Sequence, residues 1–267
     1  MSAVSSDRAG NLFSGDEDIV LKTSSPGPAR WVLTNDYSER IEGSSPVADG
    51  KVHISTYGLR YGRYTFAVEG DGQIIGGVVP PLVQIHPDLA PLIFAPFREH
   101  WNSPEEALMW AQLGAWELRY EYQFDAMNPA KDAFKFDPAI DRYMQSLADQ
   151  GIRPSFKING APKWNDSSKI RGKWGEPISY ADYEKTVRAY AEHYRRFGLD
   201  RYYIVNEPEA GGWWTSGWDG YYRFLAANHR ILKAVDKRFL IIAPESWSNV
   251  PQFMDTVLRS GDVDVIS

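Results

Sequence analysis

The chain has 267 residues, a formal net charge of −6 and a sequence pI near 5.4. That length can bury the core of one large domain, or of a small domain beside a medium-sized one. The acidic balance counts against nucleic acid and anionic membranes as the main partners, because both bind basic surfaces. The absence of cysteine excludes disulfides and thiolate metal sites. No apolar run is long enough to span a bilayer, so we expect a soluble protein.

Aromatic residues are the unusual part of the composition. They make up 14% of the chain and include ten tryptophans. One interpretation is a core rich in Trp. The other is a binding site in which indole rings stack against flat ligand faces.

The first 16 residues are rich in Ser, Gly and Asp and lack the apolar centre of a secretory signal. We expect residues 1–16 to form a disordered leader, and the localisation of the protein stays open.

Residues 17–90 have the alternation of half-buried strands. Val52 and Ile54 lie two positions apart, and so do Tyr64 and Phe66, with turn-forming Gly and Asp residues between the runs. The pattern predicts a small antiparallel β unit.

Residues 91–267 alternate between strands and helices, which favours parallel strands joined by helical crossovers. Helix starts are marked by capping residues such as Ser103, Asp137 and Ser179. The six predicted strands cover residues 92–97, 116–122, 152–158, 202–205, 239–243 and 263–267.

Loop lengths distinguish between two folds that fit this alternation, a doubly wound sheet and a (β/α)8 barrel. Connections from a helix to the next strand are short, whereas those from a strand to the next helix are long, above all residues 159–178. Long loops on one rim are how a barrel assembles an active site. No Gly-rich phosphate loop follows the first strand of the series. We therefore predict the α/β class with a (β/α)8 TIM barrel over residues 91–267, of which about six strands are present.

The most informative segment is Asn206-Glu207-Pro208, at the end of the fourth predicted strand. A strand end on the loop-rich rim of a barrel is where catalytic residues lie, and a carboxyl group there can act as a general acid. Asn206 beside it can hydrogen-bond a substrate hydroxyl. The alternative is that Asn-Glu-Pro only terminates the strand.

Other residues of the same rim are candidates for binding. Arg119 and Glu121 are two positions apart and so share a face of the second strand, either to hold a catalytic carboxylate ionised or to form a structural ion pair. Trp218 fits the apolar stripe of its helix, so we expect core packing there. Four tryptophans are candidates for contact with sugar rings: Trp164, Trp174, Trp213 and Trp214.

The sequence has neither the spacing of a metal site nor the motif of a serine nucleophile. The five histidines, His86 and His100 among them, have no metal-ligand spacing, and we expect neither a metal nor a cofactor. No Ser nucleophile elbow of the G-x-S-x-G type occurs.

The order of these segments resembles the large clan of retaining glycoside hydrolases that includes cellulases, β-xylosidases and α-L-iduronidases, and family 39 in particular. The resemblance covers residues 92–267, and Asn206-Glu207-Pro208 is its most specific motif. It implies a glycosidase that retains configuration and acts on an oligosaccharide, polysaccharide or other glycoside. Glu207 would be its acid/base, Asn206 the contact to the sugar's 2-hydroxyl, and Arg119 the contact to the nucleophile.

In that clan the nucleophile is a second Glu, at the end of strand seven, and the predicted series here ends with strand six. We therefore expect a fragment of a longer enzyme, and Glu245, at the end of strand five, is not assigned as nucleophile. One alternative is a carbohydrate-binding protein or pseudoenzyme that keeps the aromatic rim without the chemistry. A lyase or isomerase on a barrel is a third hypothesis, against which the missing metal and phosphate motifs count.

Overall fold

The computed structural model describes residues 4–81, 93–94, 104–121, 124–246 and 250–266. The chain divides into two compact units. One consists of Met1–Leu92 with Ser103–Trp116, and the other of Ile93–Asn102 with Glu117–Ser267. The domain boundary expected between residues 90 and 91 lies outside the described residues, as do His86, His100 and the capping residue Ser103.

The described residues of the first unit form two β-sheets. A five-stranded sheet has the order β1-β8-β7-β3-β4, and a three-stranded sheet has the order β2-β6-β5. All pairs are antiparallel except β1 with β8. The strands are β1 (Leu12–Ser14), β2 (Ile19–Lys22), β3 (Ala29–Asn35), β4 (Arg40–Ser45), β5 (Val47–Ala48), β6 (Lys51–Ile54), β7 (Gly62–Val68) and β8 (Gly72–Val79).

Residues from both sheets form the core of this unit. The alternation in the sequence is the cause: Val52 and Ile54 point inward from the smaller sheet, and Tyr64, Phe66 and Val68 from the larger one. The observed strand pairs of this unit are antiparallel, apart from the parallel pairing of β1 with β8.

The expectation of a disordered leader is wrong for the residues around β1. Leu12–Ser14 pairs in parallel with β8, and the Phe13 side chain is fully buried against Phe66. The partner strand lies more than 60 residues along the chain, so a local composition pattern could not reveal the pairing. The helix α1 (Pro104–Gln112) also lies against β1 and belongs to this first unit, whereas the alternation of elements assigned it to the (β/α) series.

The second unit is built on one parallel sheet whose strands follow each other in chain order. All four pairs of neighbours are parallel. A doubly wound sheet reverses its strand order at a switch point, and no reversal occurs among these five strands. They are β9 (Ile93–Phe94), β10 (Glu117–Glu121), β11 (Arg153–Ile158), β12 (Arg201–Ile204) and β13 (Leu240–Ile242).

Five helices belong to the described part of this unit, and two of them start at capping residues expected from the sequence. The Asp137 carboxylate accepts a hydrogen bond from Ala139 N at 2.8 Å, and the Ser179 hydroxyl accepts one from Asp182 N at 3.3 Å. The helices are α2 (Phe124–Met127), α3 (Pro138–Asp149), α4 (Tyr180–Tyr194), α5 (Gly217–Val235) and α6 (Pro251–Ser260). The short α2 was not predicted, because it lies within a segment that reads as a loop.

The two faces of the parallel sheet differ in chemistry. Phe156 of β11 packs against Tyr194 of α4, with ring centroids 5.0 Å apart, and Tyr221 of α5 donates its hydroxyl to Ile204 O at 3.3 Å. Residues at the intervening positions of the strands, which face the other side, are mostly polar. They are Glu117, Arg119 and Glu121 of β10, Ser155 and Lys157 of β11, and Arg201 and Tyr203 of β12.

The sixth predicted strand is reduced to a single bridge. Val265 pairs in parallel with Ile242 of β13, and Ala243 N donates to Val265 O at 2.9 Å. The long loop over residues 159–178 is confirmed, with one short 3₁₀ turn at Lys163–Asn165. Within the described part of the chain, no helix is long and apolar enough to cross a membrane.

We expect Phe13→Ala to destabilise the first unit by about 3–5 kcal/mol, because it leaves a cavity between the two sheets. Hydrogen–deuterium exchange of the peptides that cover β3, β7 and β8 measures this loss. Tyr57→Ala is the control, since that side chain is 95% exposed and its removal should shift stability by no more than about 0.5 kcal/mol. Unchanged exchange in the Phe13→Ala variant would contradict the role of β1 in the core.

Candidate functional site

The candidate site begins with the backbone at the carboxyl end of β12. Val205 and Glu207 have φ of 61° and 47°, a left-handed conformation that is rare for residues other than Gly and rarest for β-branched ones. Hydrogen bonds from both neighbouring strands hold it: Val205 N donates to Ile158 O at 2.9 Å, and Glu207 N donates to Glu245 O at 2.8 Å. Strained backbone that is fixed in this way is typical of functional sites.

Three charged side chains from three strands of the sheet meet beside this segment. The Glu245 carboxylate, which follows β13, forms an ion pair with Arg119 of β10 through Oε1 and with Lys157 of β11 through Oε2, the latter at 3.1 Å. All three side chains are at least 85% buried. A buried carboxylate between two buried cations leaves each charge with a partner, which is the condition for keeping charges inside a protein.

Hydrogen bonds connect this cluster to Asn206. Lys157 Nζ donates to Asn206 Oδ1 at 2.6 Å, and Asn206 N donates to Asn159 Oδ1 at 3.2 Å. Asn159 in turn donates its side-chain amide to Glu121. Asn206 is therefore held at its backbone and at its side-chain oxygen by two residues from the end of β11.

A second polar layer lies beneath Arg119. The Arg119 guanidinium lies over the Tyr203 ring, 4.9 Å from its centroid, and Tyr203 donates its hydroxyl to Glu117 at 2.9 Å. Glu117 is fully buried and also pairs with Arg201 at 3.5 Å. The contact with the Tyr203 ring therefore holds the Arg119 guanidinium on one side, and the ion pair with Glu245 holds it on another.

Burial sets the electrostatics of the two cations. It lowers the pKa of Lys157 to about 8, assisted by the positive charge of Arg119 and opposed by Glu121 and Glu207. Burial also lowers the pKa of Arg119, against the opposing influence of Tyr203, Glu121 and Glu117. Arg119 stays charged at all ordinary pH values, whereas Lys157 begins to lose its proton in mildly alkaline solution.

Glu207 differs from the other carboxylates near it. Glu121 accepts from Asn159, Glu245 pairs with two cations and Glu209 accepts from Ser246 at 2.7 Å. Within the described ranges, no hydrogen bond or ion pair involves the half-buried Glu207 side chain. Its carboxyl group is therefore available to a ligand.

Two of the predicted tryptophans form an accessible pair beyond this edge of the sheet. The rings of Trp174 and Trp213 lie 6.2 Å apart at 43°, and Trp213 is 46% exposed. Backbone hydrogen bonds join their loops: Trp174 N donates to Trp213 O at 2.9 Å, and Thr215 N donates to Trp174 O at 2.8 Å. The strand-to-helix loops of β11 and β12 thus hold the two rings together.

The other predicted tryptophans are placed differently. Trp214 is only 2% exposed and packs against Phe224, so the expectation that it contacts sugar is wrong: it is a core residue. Trp164 is half-buried, and its indole N–H is already donated to Asn128 O at 2.9 Å. Trp218 packs on Phe253 with centroids 5.5 Å apart, as expected of its helical stripe, although it keeps 39% exposure.

The structure brings Arg119, Glu121, Asn206 and Glu207 together, but sequence reasoning missed the residues that connect them: Lys157, Asn159, Tyr203 and the paired state of Glu245. One signal was present in the sequence. Ser155, Lys157 and Asn159 are polar residues at every second position of an otherwise buried strand. Among the residues that the structure describes, no group of three or more His, Asp or Glu is arranged to hold a metal ion.

Solved structures of family 39 glycoside hydrolases resemble this chain in fold. One from the gut symbiont Bacteroides cellulosilyticus WH2 has a TM-score of 0.65 at 15% identity, and the match covers 96% of this chain and 55% of that one. A family 39 β-xylosidase from Caulobacter crescentus has a TM-score of 0.51 at 21% identity, over 66% of this chain and 45% of its own.

At these identities the likeness shows the fold alone, and the chain spans about half the length of the structures it matches. No protein-family model and no curated protein matches the sequence.

We expect Glu245→Gln to lower the free energy of unfolding of the second unit by about 3–5 kcal/mol, because it leaves two buried cations without their shared counter-ion. Urea denaturation measures the change. Asp255→Asn, which removes an exposed partner of Arg259 on α6, should cost less than about 1 kcal/mol. Equal effects of the two substitutions would mean that the buried ion cluster contributes no more than a surface pair.

Proposed function

We propose that the chain carries the acid/base half of a glycoside hydrolase that cleaves O-glycosidic bonds with retention of configuration, with Glu207 as the general acid/base. The observation that carries this proposal is the state of Glu207. It is the carboxylate without a partner among the described residues, at the loop-rich edge of the sheet, beside carboxylates that are all engaged. The resemblance of Asn206-Glu207-Pro208 to the acid/base motif and the family 39 fold support the same assignment.

In the proposed reaction, Glu207 gives its proton to the glycosidic oxygen as the leaving group departs, and later takes a proton from the water that attacks the glycosyl-enzyme. Asn206, which lies next to it in the chain, would hydrogen-bond the sugar's 2-hydroxyl. Retention requires a second carboxylate about 5–5.5 Å from the first. The resemblance places this nucleophile on a seventh strand, and Arg119 would contact it there.

Glu245 is the other carboxylate at this edge, and we do not assign it as the nucleophile. Both of its oxygens are in ion pairs, one with Arg119 and one with Lys157. A contact with Arg119 alone is compatible with a nucleophile, but here Arg119 and Lys157 together occupy both oxygens of a carboxylate that is 89% buried. The resemblance also places the nucleophile on a seventh strand. Its proposed role is to hold the two cations.

We further propose that the parallel sheet is part of a (β/α)8 barrel that corresponds to residues 91–267, with residues 17–90 as an accessory β unit. The consecutive strand order, the addition of Val265 after β13 and the polar inward face support this. The proposed substrate is an oligosaccharide, polysaccharide or other glycoside, whose rings would stack on Trp174 and Trp213.

A carbohydrate-binding protein without catalysis is the second candidate. The exposed Trp pair is compatible with it, and so is the engagement of Glu245 in ion pairs. The two candidate functions predict different gene sequences downstream of the Ser267 codon. An open reading frame with a Glu at the end of the next predicted strand supports the hydrolase, and a stop codon there supports the binding protein.

We expect Glu207→Ala to slow hydrolysis of an ordinary disaccharide by about 10²–10⁴-fold, the usual contribution of a general acid. The loss should be smaller for aryl glycosides with good leaving groups, which depart without a proton. The assay uses the chain extended by its downstream coding sequence, and Glu209→Gln is the matched control two residues away. Unchanged turnover of the disaccharide by Glu207→Ala would remove Glu207 from this role.

Trp213→Ala should weaken oligosaccharide binding by about 1 kcal/mol, roughly fivefold, because the sugar loses one stacking surface. Isothermal titration calorimetry on the Glu207→Gln background separates binding from turnover. Trp218→Ala removes an indole of similar exposure from α5 and should leave the affinity unchanged. A loss of affinity in both variants would point to a general effect on folding.

A further inference from the structure

Lys157 is a buried lysine that sequence reasoning did not single out and that the proposed mechanism does not use. Its side chain is 94% buried, at the end of β11. A buried ammonium is costly unless it is paired and hydrogen-bonded. Lys157 has both kinds of partner: the Glu245 carboxylate at 3.1 Å and Asn206 Oδ1 at 2.6 Å.

The chemistry of this contact determines which way the Asn206 amide faces. An ammonium has three donors and no acceptor, so the Asn206 atom that faces Lys157 has to be the oxygen. The other end of the amide, Nδ2, makes no hydrogen bond to the described residues. Nδ2 can only donate, and Lys157 therefore leaves Asn206 with a donor for a ligand.

Lys157 is itself fixed. Glu245 holds it from one side, and the same carboxylate holds Arg119. Arg119 in turn lies on the Tyr203 ring. The Asn206 side chain is thus at the end of a chain of contacts that runs across β10, β11, β12 and the residue after β13.

We propose that Lys157 is a positioning residue that fixes the Asn206 amide with Nδ2 toward the substrate, so that the site selects sugars presenting a hydrogen-bond acceptor at that position. The proposal rests on the proposed function for the identity of the ligand. A hydroxyl satisfies the requirement, because its oxygen accepts. An ammonium, as in a 2-amino-2-deoxy sugar at neutral pH, does not, because it would place donor against donor.

Protonation of Lys157 gives the proposal a pH dependence. The charged and titratable groups that face its ammonium are Arg119 and Glu121 from β10, Tyr203 and Glu207 from β12 and its end, and Glu245 after β13. Above a pH of about 8, Lys157 becomes neutral, its ion pair with Glu245 is lost and its hydrogen bond to Asn206 is no longer charge-assisted. The orientation of Asn206 should weaken over that range.

The kinetic test compares kcat/KM for a 2-hydroxy glycoside and its 2-deoxy analogue at pH 6 to 9. We expect the wild type to prefer the hydroxyl, and Lys157→Met to lower that preference about tenfold, since a freely rotating amide loses one oriented hydrogen bond. Asn206→Ala should lower this preference equally, and the double variant should lower it no further.

The matched control is Lys185→Met, which changes an exposed lysine on α4 and should keep the preference. Changes in Glu207 protonation affect both substrates alike and cancel in the ratio.

A second measurement does not depend on turnover. The side-chain amide nitrogen of Asn206, followed by NMR in the full chain without sugar, should shift with pH around 8 in the wild type and be flat in Lys157→Met. A shift that persists in Lys157→Met overturns the proposal, and so does an undiminished preference for the 2-hydroxyl in an active Lys157→Met enzyme. If the Asn206 shift follows pH as expected while no glycoside is cleaved or bound, then Lys157 positions Asn206, and the proposed function is the part that fails.

Discussion

The second unit depends on one buried carboxylate that is shared between two cations. Glu245 follows β13, Arg119 belongs to β10 and Lys157 to β11, so this ion cluster joins residues from separate strands. Desolvation makes each of these charges unfavourable alone. Together they tie the carboxyl ends of the strands to one another, and the hydrogen bond from Lys157 extends the same network to Asn206.

Glu207 lies beside this network, but its carboxylate is not part of the ion pairs. The chain turns sharply at Val205 and Glu207, both with positive φ, and the strands on either side supply the hydrogen bonds that hold this turn. Within the described residues, the Glu207 carboxylate makes no hydrogen bond or ion pair, whereas Glu245 pairs with two cations. Glu207 and Glu245 are neighbours through a backbone bridge from Asn206, yet they have these opposite properties.

The tryptophans show how local structure divides one residue type between two roles. Trp213 and Trp214 are adjacent in sequence, and the backbone of their loop turns one ring outward, beside Trp174, and the other inward, onto Phe224. Their exposed fractions are 46% and 2%. In a loop, no periodic pattern predicts which of two neighbours faces the solvent, so the sequence supported both as ligand contacts.

The sequence by itself determined many of the elements and the edge at which the candidate site lies. Hydrophobic periodicity and helix caps such as Asp137 and Ser179 are local signals, and they placed β6 and β7 of the first unit, the strands of the second unit, most of the helices and the Asn206-Glu207 strand end. Only the tertiary structure decided which side chains pair. The parallel partner of β1, the membership of α1 in the first unit, the burial of Trp214 and the ion cluster of Glu245 all join residues that are distant in the chain or depend on loop geometry. The physical reason is that charge pairing and packing depend on distances in space, which the spacing of residues along a chain does not encode.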